Sequence, residues 1–587
     1  MNQILPLSQN SFIRLQLIVI GMKLDSDEEV EQEHKNPVKR AEREREFKTA
    51  GMLKEVYRSA KDMHSAVQKY DKTFKTVSHP HPKHKQLTVT DFSLAARGPQ
   101  EDEVYSQRPF FRNNVRRGNT ILFDQKTKEV HWARKGLIKF FDLSDKIIKA
   151  AIEGSAVNLD HRDKPLYNAI FSEIEGVLSC NEELPMESKA KVHVYRLNKA
   201  NGENAQVSYS PITDEWVISS KNVSIMIKDA GDIKLYEGER YGFAQLMARC
   251  WLEMIAGRKP ADLRALKEEL TNRTLVGEYC GNPDYQHLVK YADVTIFFYA
   301  LVENTSTHSC LPPPETFAFL EKHHLPIVKN YEKALFGKFV DLEELGNALT
   351  KLFEDVATAS IFDEEEGSVV YFVLEKPREF CEYVSDRFLQ EHVPIPVDFK
   401  TQPVWWNVSA LAKLKTLEYR ILRKLREKLK FFTRLKKKGE ENVEKKQNDQ
   451  KKMEEKYGSF EKEVARLVKG RELSKPLLYF YCVAIVAFEY VFAHRKNQRN
   501  LALLSEHYLD FLSVIFWCIE NKREVTPALM ADEELHRELR GTTWQGYSVD
   551  IIQHYPELLD KLAPRYAKIK KSMGGQEAEG EEEPEVE

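Results

Sequence analysis

Residues 192–208 limit what this chain can build more than any other stretch. Bulky and β-branched side chains fall on alternate positions from His193 to Leu197 and again from Gln206 to Ser208, with Lys199-Ala200-Asn201-Gly202 between them. Period-two alternation on both sides of an Asn-Gly pair predicts two strands joined as a β-hairpin. A lysine at the mouth of such a turn projects from a sheet edge. Its amine can attack a phosphorus atom once burial or neighbouring cations depress its pKa. A solvated hairpin lysine is the commoner outcome of turn chemistry alone, so the rest of the chain decides what Lys199 does.

At 587 residues the chain is long enough for two or three domains. Its 42% hydrophobic, 11% aromatic and 30% charged residues are those of a soluble globular protein. A net charge of −3 supplies no global field for nucleic acid, so any such binding rests on local patches. The seven cysteines, at 180, 250, 280, 310, 381, 482 and 518, include no Cys-x-x-Cys pair. That argues against a zinc ribbon or disulfide framework and for a reducing compartment. Residues 12–21 are apolar around Arg14 but too short to span a bilayer; a cleaved leader and an extension upstream of Met22 both stay open.

In chain order, residues 1–50 read as a charged, disordered arm, with charge-dense helix formers across 25–58. Residues 78–85, SHPHPKHK, read as a loop, with metal binding by His79, His81 and His84 the minor alternative. Strands at 120–123 and 129–133 flank a polar turn, and Arg117-Gly118 sets a guanidinium beside a flexible backbone position. A helix follows over 142–152. Residues 215–228 alternate as a half-buried strand does and carry Ser219-Ser220-Lys221 at the end of their first half. Helical text at 241–256 and 259–270 precedes a strand ending in Gly277-Glu278 and a second strand at 294–301. Glu366 leads into a buried strand at 367–372. Lys413 and Lys415 alternate on one strand face before a basic amphipathic helix that runs to residue 430. Residues 431–459 read as a charged linker, 460–572 as an all-helical domain and 573–587 as an acidic disordered tail. The apolar run 477–488 reads as a bundle helix, because Glu489 interrupts a stretch already short of the ~20 residues that a membrane span needs.

These islands, in this order, resemble the covalent nucleotidyltransferases, and more narrowly the ATP-dependent RNA ligases of the phage RNA ligase 1 and fungal tRNA ligase type. The family order is a Lys-x-Asp/Asn-Gly nucleophile, a Ser-Lys strand, a strand ending in Glu, an aromatic strand, Glu-Gly-x-Val and Lys-x-Lys. Here the counterparts are Lys199 to Gly202, Ser220-Lys221, Glu278, residues 295–299, Glu366 to Val369 and Lys413 to Lys415. Arg117-Gly118 and Lys139 to Asp142, with GEYCGNPDYQHLVKY around Glu278 and KLKTLEYRILRKLRE around Lys413, point to the tRNA-ligase-like branch over the DNA ligases. The resemblance spans roughly residues 105–430. It departs from the pattern in three ways. Glu203 sets a carboxylate where a neutral or small residue is expected, and the span from Glu366 to Lys413 is long. No P-loop and no paired His-x-Thr motif is present, so kinase and phosphodiesterase modules are not evident.

The fold so implied is α+β: a nucleotidyltransferase domain over residues 51–430, of antiparallel sheets with flanking helices, followed by the all-helical C-terminal domain. The implied chemistry is attack by Lys199 on the α-phosphorus of ATP, with Gly202 closing the nucleophile motif. Lys413 and Lys415 neutralise charge on the α-phosphate, Glu278 holds the ribose and Phe141 stacks on adenine. Arg117, Lys139 and Lys221 contact phosphates of ATP or of an RNA end, and Glu366 orients metal-bound water, with Mg²⁺ the natural ion and Mn²⁺ the alternative. AMP then passes to a 5′-phosphate and a 3′-hydroxyl displaces it. The implied partners are RNA with 5′-phosphate and 3′-hydroxyl ends, tRNA among the candidates, and end-processing enzymes acting in trans, without stable membrane association. An intracellular site is expected, with nucleus, cytoplasm and mitochondrion all compatible. The rival readings are an mRNA-capping-like guanylyltransferase using GTP, an inactive RNA-binding scaffold that Glu203 favours, and a membrane-tethered adaptor using 477–492.

Overall fold

The structure, a computed structural model, describes residues 60–69, 73–96, 99–154, 156–282, 289, 291–304, 310–358, 366–390, 404–417, 419–424 and 427. Beyond these it describes residues 487, 490, 511, 513–515, 517–518, 521 and 523–539. The expectations for the arm at 1–50, the linker at 431–459, the tail at 573–587 and nearly all of the apolar run at 477–488 lie outside the described residues.

A four-stranded antiparallel sheet runs β1 (Phe74–Pro80), β2 (Leu87–Leu94), β3 (Asn119–Asp124) and β4 (Val130–Lys135) in sequence order. After β5 (Phe141–Asp142) and β6 (Lys191–Asn198) come β7 (Glu203–Ser210), β8 (Glu215–Ser220), β9 (Ser224–Ile227), β10 (Arg273–Cys280) and β11 (Thr295–Glu303). The last five form an antiparallel sheet of order β11-β10-β7-β8-β9. With β12 (Leu335–Phe339), β13 (Gly367–Pro377) and β14 (Val404–Lys415), a third sheet has the order β12-β6-β13-β14-β5. The helices used below are α1 (Pro99–Gln107), α2 (Asp145–Ile152), α3 (Asp163–Leu178), α4 (Gly242–Ile255) and α5 (Pro260–Leu270).

Three local expectations need correction. The third sheet is mixed, because the two residues of β5 lie parallel to β14, Phe141 opposite Ala412 and Asp142 opposite Lys413. The helix expected from residue 142 starts at Asp145, where the Ser144 side chain accepts from the Ile147 amide and caps it. Residues 215–228 form a hairpin, not one half-buried strand, and β8 is buried on both faces. Trp216 and Ile218 point into the main core, where Trp216 meets Trp251 of α4 edge to face. Val217 points the other way, into a cluster with Val89, Leu122, Ala133 and Met226 that joins the first sheet to the second. Alternation along β8 therefore serves two apolar layers rather than a core and solvent.

The main core takes side chains from the second and third sheets together, including Leu197, Val207, Leu275, Phe298, Tyr371 and Leu411, along with helices α4 and α5. Sharing one core fixes β6 and β7 relative to each other, and the chain between them becomes a crossing from one sheet to the other. Contacts divide the chain into two compact units, Met1–Asp355 with Gly367–Leu414, and Val356–Glu366 with Lys415–Glu587. All three sheets belong to the first, apart from the terminal residue of β14. In the second, described positions at 417, 419–424, 487, 490, 511 and 513–515 are helical, as are Pro527–Met530 and Glu533–Leu539. Among the described residues no helix is long and apolar enough to cross a membrane.

Candidate functional site

Lys199 lies in the crossing between β6 and β7. β6 pairs with β12 and β13, and β7 with β8 and β10, so the expected hairpin is absent. The Asn-Gly pair does a different job here. Asn201 is buried; its amide donates to the Tyr291 hydroxyl at 2.8 Å and its Oδ1 accepts the Val289 amide at 3.1 Å. A Cβ on Gly202 would stand 2.2 Å from the Tyr279 carbonyl oxygen and 2.8 Å from Cys280 Sγ. Asparagine is needed for its side-chain bond and glycine for the close approach, not for a left-handed turn. On the other side, the Lys199 amide donates to the Gly367 carbonyl at 2.8 Å, which ties the turn to the start of β13. The Lys199 side chain is half-buried.

The strand ends around this turn gather the other expected residues of the first unit. Glu278 sits in β10 opposite Asn204, just past a register shift between Val276 and Gly277, and Lys221 follows Ser220, which faces Ala205. The Asn204 side chain donates to the Tyr299 hydroxyl at 3.2 Å, and that hydroxyl makes a long 3.5 Å contact with Glu278. Burial first, and then the Glu278 charge, hold the Tyr299 hydroxyl well above its usual pKa, so it stays a donor. Gln206 Nε2 bonds both Asn204 Oδ1 and the Arg117 carbonyl at 2.8 Å, and Gln206 Oε1 accepts from the buried Arg134 guanidinium at 2.7 Å. One hydrogen-bonded chain thus runs from the first sheet to Arg117 and Glu278.

Arg117, Lys139 and Lys221 converge on Glu101, a buried carboxylate in the first turn of α1 that sequence reasoning missed. Lys221 Nζ lies 2.9 Å from it, Lys139 Nζ 3.7 Å and Arg117 Nε 3.9 Å. Lys139 also pairs with Asp102 at 2.5 Å. Burial alone would raise the Glu101 pKa; Lys139, Arg117 and Lys221 outweigh it and hold the group below the usual glutamate value. Burial lowers the Lys139 pKa, and the Arg117 charge adds to the effect. Lys413 pairs with Asp142 at 3.4 Å, and burial lowers its pKa as well. Its ammonium and the Arg117 guanidinium both approach the Phe140 ring, at 5.6 and 5.2 Å from the centroid. Phe140 is the aromatic among these cations, whereas Phe141 is 3% exposed within β5. No motif in the sequence distinguishes Glu101 from the other acids of its QEDE run.

Glu366 and Lys415 belong to the second unit and pair with each other at 3.1 Å, while the Thr416 amide donates to the Glu366 carbonyl. Lys415 also stands 5.0 Å over the Tyr419 ring. A divalent ion at Glu366 fits this setting poorly as a protein cage, since its carboxylate already faces an ammonium. Glu203 opens β7 opposite Tyr279 and is half-buried.

The histidine-rich segment holds the described residues' one grouping of metal-ligand type: His81, His84 and Glu215. Its hydrogen bonds argue against a metal. His81 Nδ1 accepts the amides of Lys83 and His84, at 3.2 and 3.1 Å, which leaves the proton on Nε2 facing Glu215 at 2.7 Å. Lys83 stands 2.8 Å from the other Glu215 oxygen, so the carboxylate is engaged on both sides. The segment works as a clasp between the β1–β2 connection and the start of β8. His79 is part of β1 and not of the loop.

Arg117 Nε is buried and, among the described residues, meets no hydrogen-bond acceptor at bonding distance. A cluster with this spare guanidinium donor and the three ammonium groups of Lys139, Lys221 and Lys413 fits a phosphate group better than it fits a neutral ligand.

No family model and no curated protein matches the chain. Among solved structures it is similar to an archaeal ATP-dependent RNA ligase in two forms. One is 12% identical over 72% of this chain and 79% of the other, with a TM-score of 0.33. The second is 12% identical over 81% and 85%, also at 0.33. It is similar too to a putative ATP-dependent DNA ligase from Aquifex aeolicus, 14% identical over 78% and 79%, at 0.29. The likeness is remote, and the site residues carry the functional reading by themselves.

Proposed function

We propose that this chain is an ATP-dependent RNA ligase that joins 5′-phosphate and 3′-hydroxyl ends through a lysyl-AMP intermediate. The observation that carries the reading is the gathering of Arg117, Lys139, Lys221, Lys413 and Glu278 at the strand ends around the Lys199 crossing. In the first step Lys199 Nζ, having lost a proton, forms a bond to the α-phosphorus while the bond to the β-phosphate oxygen breaks, releasing pyrophosphate. Lys413 offsets charge on the α-phosphate, and Arg117, Lys139 and Lys221 hold the departing phosphates, which is positioning plus electrostatics. Glu278, oriented by Tyr299, takes the ribose. Phe140, flanked by cations, is the better-placed ring for stacking on a base than the buried Phe141. Lys415 keeps the role the motif order gives it, charge neutralisation, and Glu366 is its counter-ion. AMP then moves to the RNA 5′-phosphate, and the 3′-hydroxyl oxygen displaces it to seal the strand. RNA binding falls to the basic segment after Lys415 and to the C-terminal helical region, with Mg²⁺ as the accompanying ion.

The test is incubation of the full chain with α-labelled ATP or GTP and Mg²⁺, beside Lys199→Ala. Label from ATP that survives denaturation and vanishes in the variant is the expected result. Label from GTP alone would move the protein to the capping-like reading, and label from neither would leave a binding protein.

A further inference from the structure

The cluster beside the Lys199 crossing carries its own counter-ions. Arg117, Lys139, Lys221 and Lys413 are matched against Glu101, Asp102 and Asp142, which leaves one net positive charge among the seven groups. The carboxylates are not equivalent. Asp142 is mostly exposed and Asp102 partly so, while Glu101 is buried and central to three of the cations. Its fit is loose: only Lys221 is at hydrogen-bonding distance, and Arg117 Nε faces it from 3.9 Å. A phosphate group spans these gaps with three oxygens where a carboxylate has two. It carries more charge, and it accepts from a guanidinium and two ammonium groups at once.

We propose that Glu101, assisted by Asp102, is a built-in competitor for phosphate at this cluster, and so sets which anions the site accepts. A singly charged anion gains too little to displace it, whereas a di- or polyphosphate does. The proposal rests on the ligase reading only for the identity of the phosphate; the competition itself is a property of the seven charged groups. It also explains how one buried and three half-buried cations coexist without substrate, since each already has a carboxylate near it.

The experiment uses the full chain and inorganic pyrophosphate, with affinity measured by titration calorimetry. Glu101→Gln removes the competing charge and keeps the side chain's shape. Like charges about 5 Å apart at a partly exposed site repel enough that the variant should bind pyrophosphate roughly tenfold more tightly. Glu101→Asp keeps the charge and should bind as the parent does. If Glu101 were merely structural, the Gln variant would melt earlier and bind pyrophosphate equally or less well, and that result overturns the proposal. Should Glu101→Gln fail to fold, the partly exposed Asp102→Asn decides, with about two- to threefold tighter binding expected and unchanged binding overturning it. No detectable pyrophosphate binding by parent and variants overturns it as well. Because the readout needs no covalent step, tighter binding in a protein that never labels with ATP would sink the ligase reading and leave this proposal standing.

Discussion

Gly202→Ala separates a buried crossing from a surface hairpin. In the structure the added methyl would lie 2.2 Å from the Tyr279 carbonyl oxygen and 2.8 Å from Cys280 Sγ. An ordinary carbon–oxygen contact is about 3.3 Å, so β7 and β10 must part locally by about 1 Å. Neither neighbour yields easily, because one is strand backbone and the other a buried thiol. Overpacking of that kind costs about 1–3 kcal/mol in stability. Lys199 lies three residues upstream with its amide fixed to Gly367, so the shift is taken up in the segment that aims the amine. A displacement of about 1 Å at a reacting group is worth roughly a hundredfold in rate. The assay is the rate at which the protein takes up α-labelled AMP, paired with a urea melt of the same preparation. The expected outcome is a loss near two orders of magnitude in rate with a modest fall in midpoint. Labelling within about threefold of the parent at an unchanged midpoint would refute the packing argument.

Asn201→Ala leaves the buried Val289 amide without its acceptor and should lower unfolding free energy by about 1–3 kcal/mol, while Asn201→Asp, which keeps an oxygen there, should lose less in the same urea melt. Glu215 gives a pH signature. Burial alone would raise its pKa, but His81 and Lys83 hold it at about 2, below the ordinary value near 4.5. A depressed carboxylate stabilises the fold above its unfolded pKa, and that contribution fades as pH falls from about 4.5 through 2. The stability gap between the parent and Glu215→Gln should therefore be about 2–3 kcal/mol at neutral pH and shrink across that acid window; a gap independent of pH would contradict the clasp.

How legible the molecule was depended on the range of the interaction. Local sequence text placed β3, β4, β11, α4 and α5 to within one or two residues, along with the start of β13 and the end of β10, because strand and helix signals of this kind are local. The Lys199 turn was found but misassigned. Asn-Gly signals a hairpin when the flanking strands pair, and nothing local says that β6 and β7 join different sheets. The same limit hid Glu101, whose partners lie 16, 38 and 120 positions away at Arg117, Lys139 and Lys221. It also hid the pairing of His81 with Glu215, where two polar groups alternate with ordinary neighbours and meet only after the first sheet docks on β8. For Phe140 and Phe141, both aromatic and adjacent, the sequence offers no ground for choosing which ring faces the cations; the pairing of β5 with β14 does.

The most direct measurement is to react the full chain with ATP and Mg²⁺, digest it after denaturation, and locate the nucleotide by peptide mass spectrometry. The expected result is AMP on the peptide containing Lys199, absent when the protein is first saturated with pyrophosphate. AMP on a different lysine, such as Lys221 or Lys413, or a chain that carries no nucleotide at all, would contradict it.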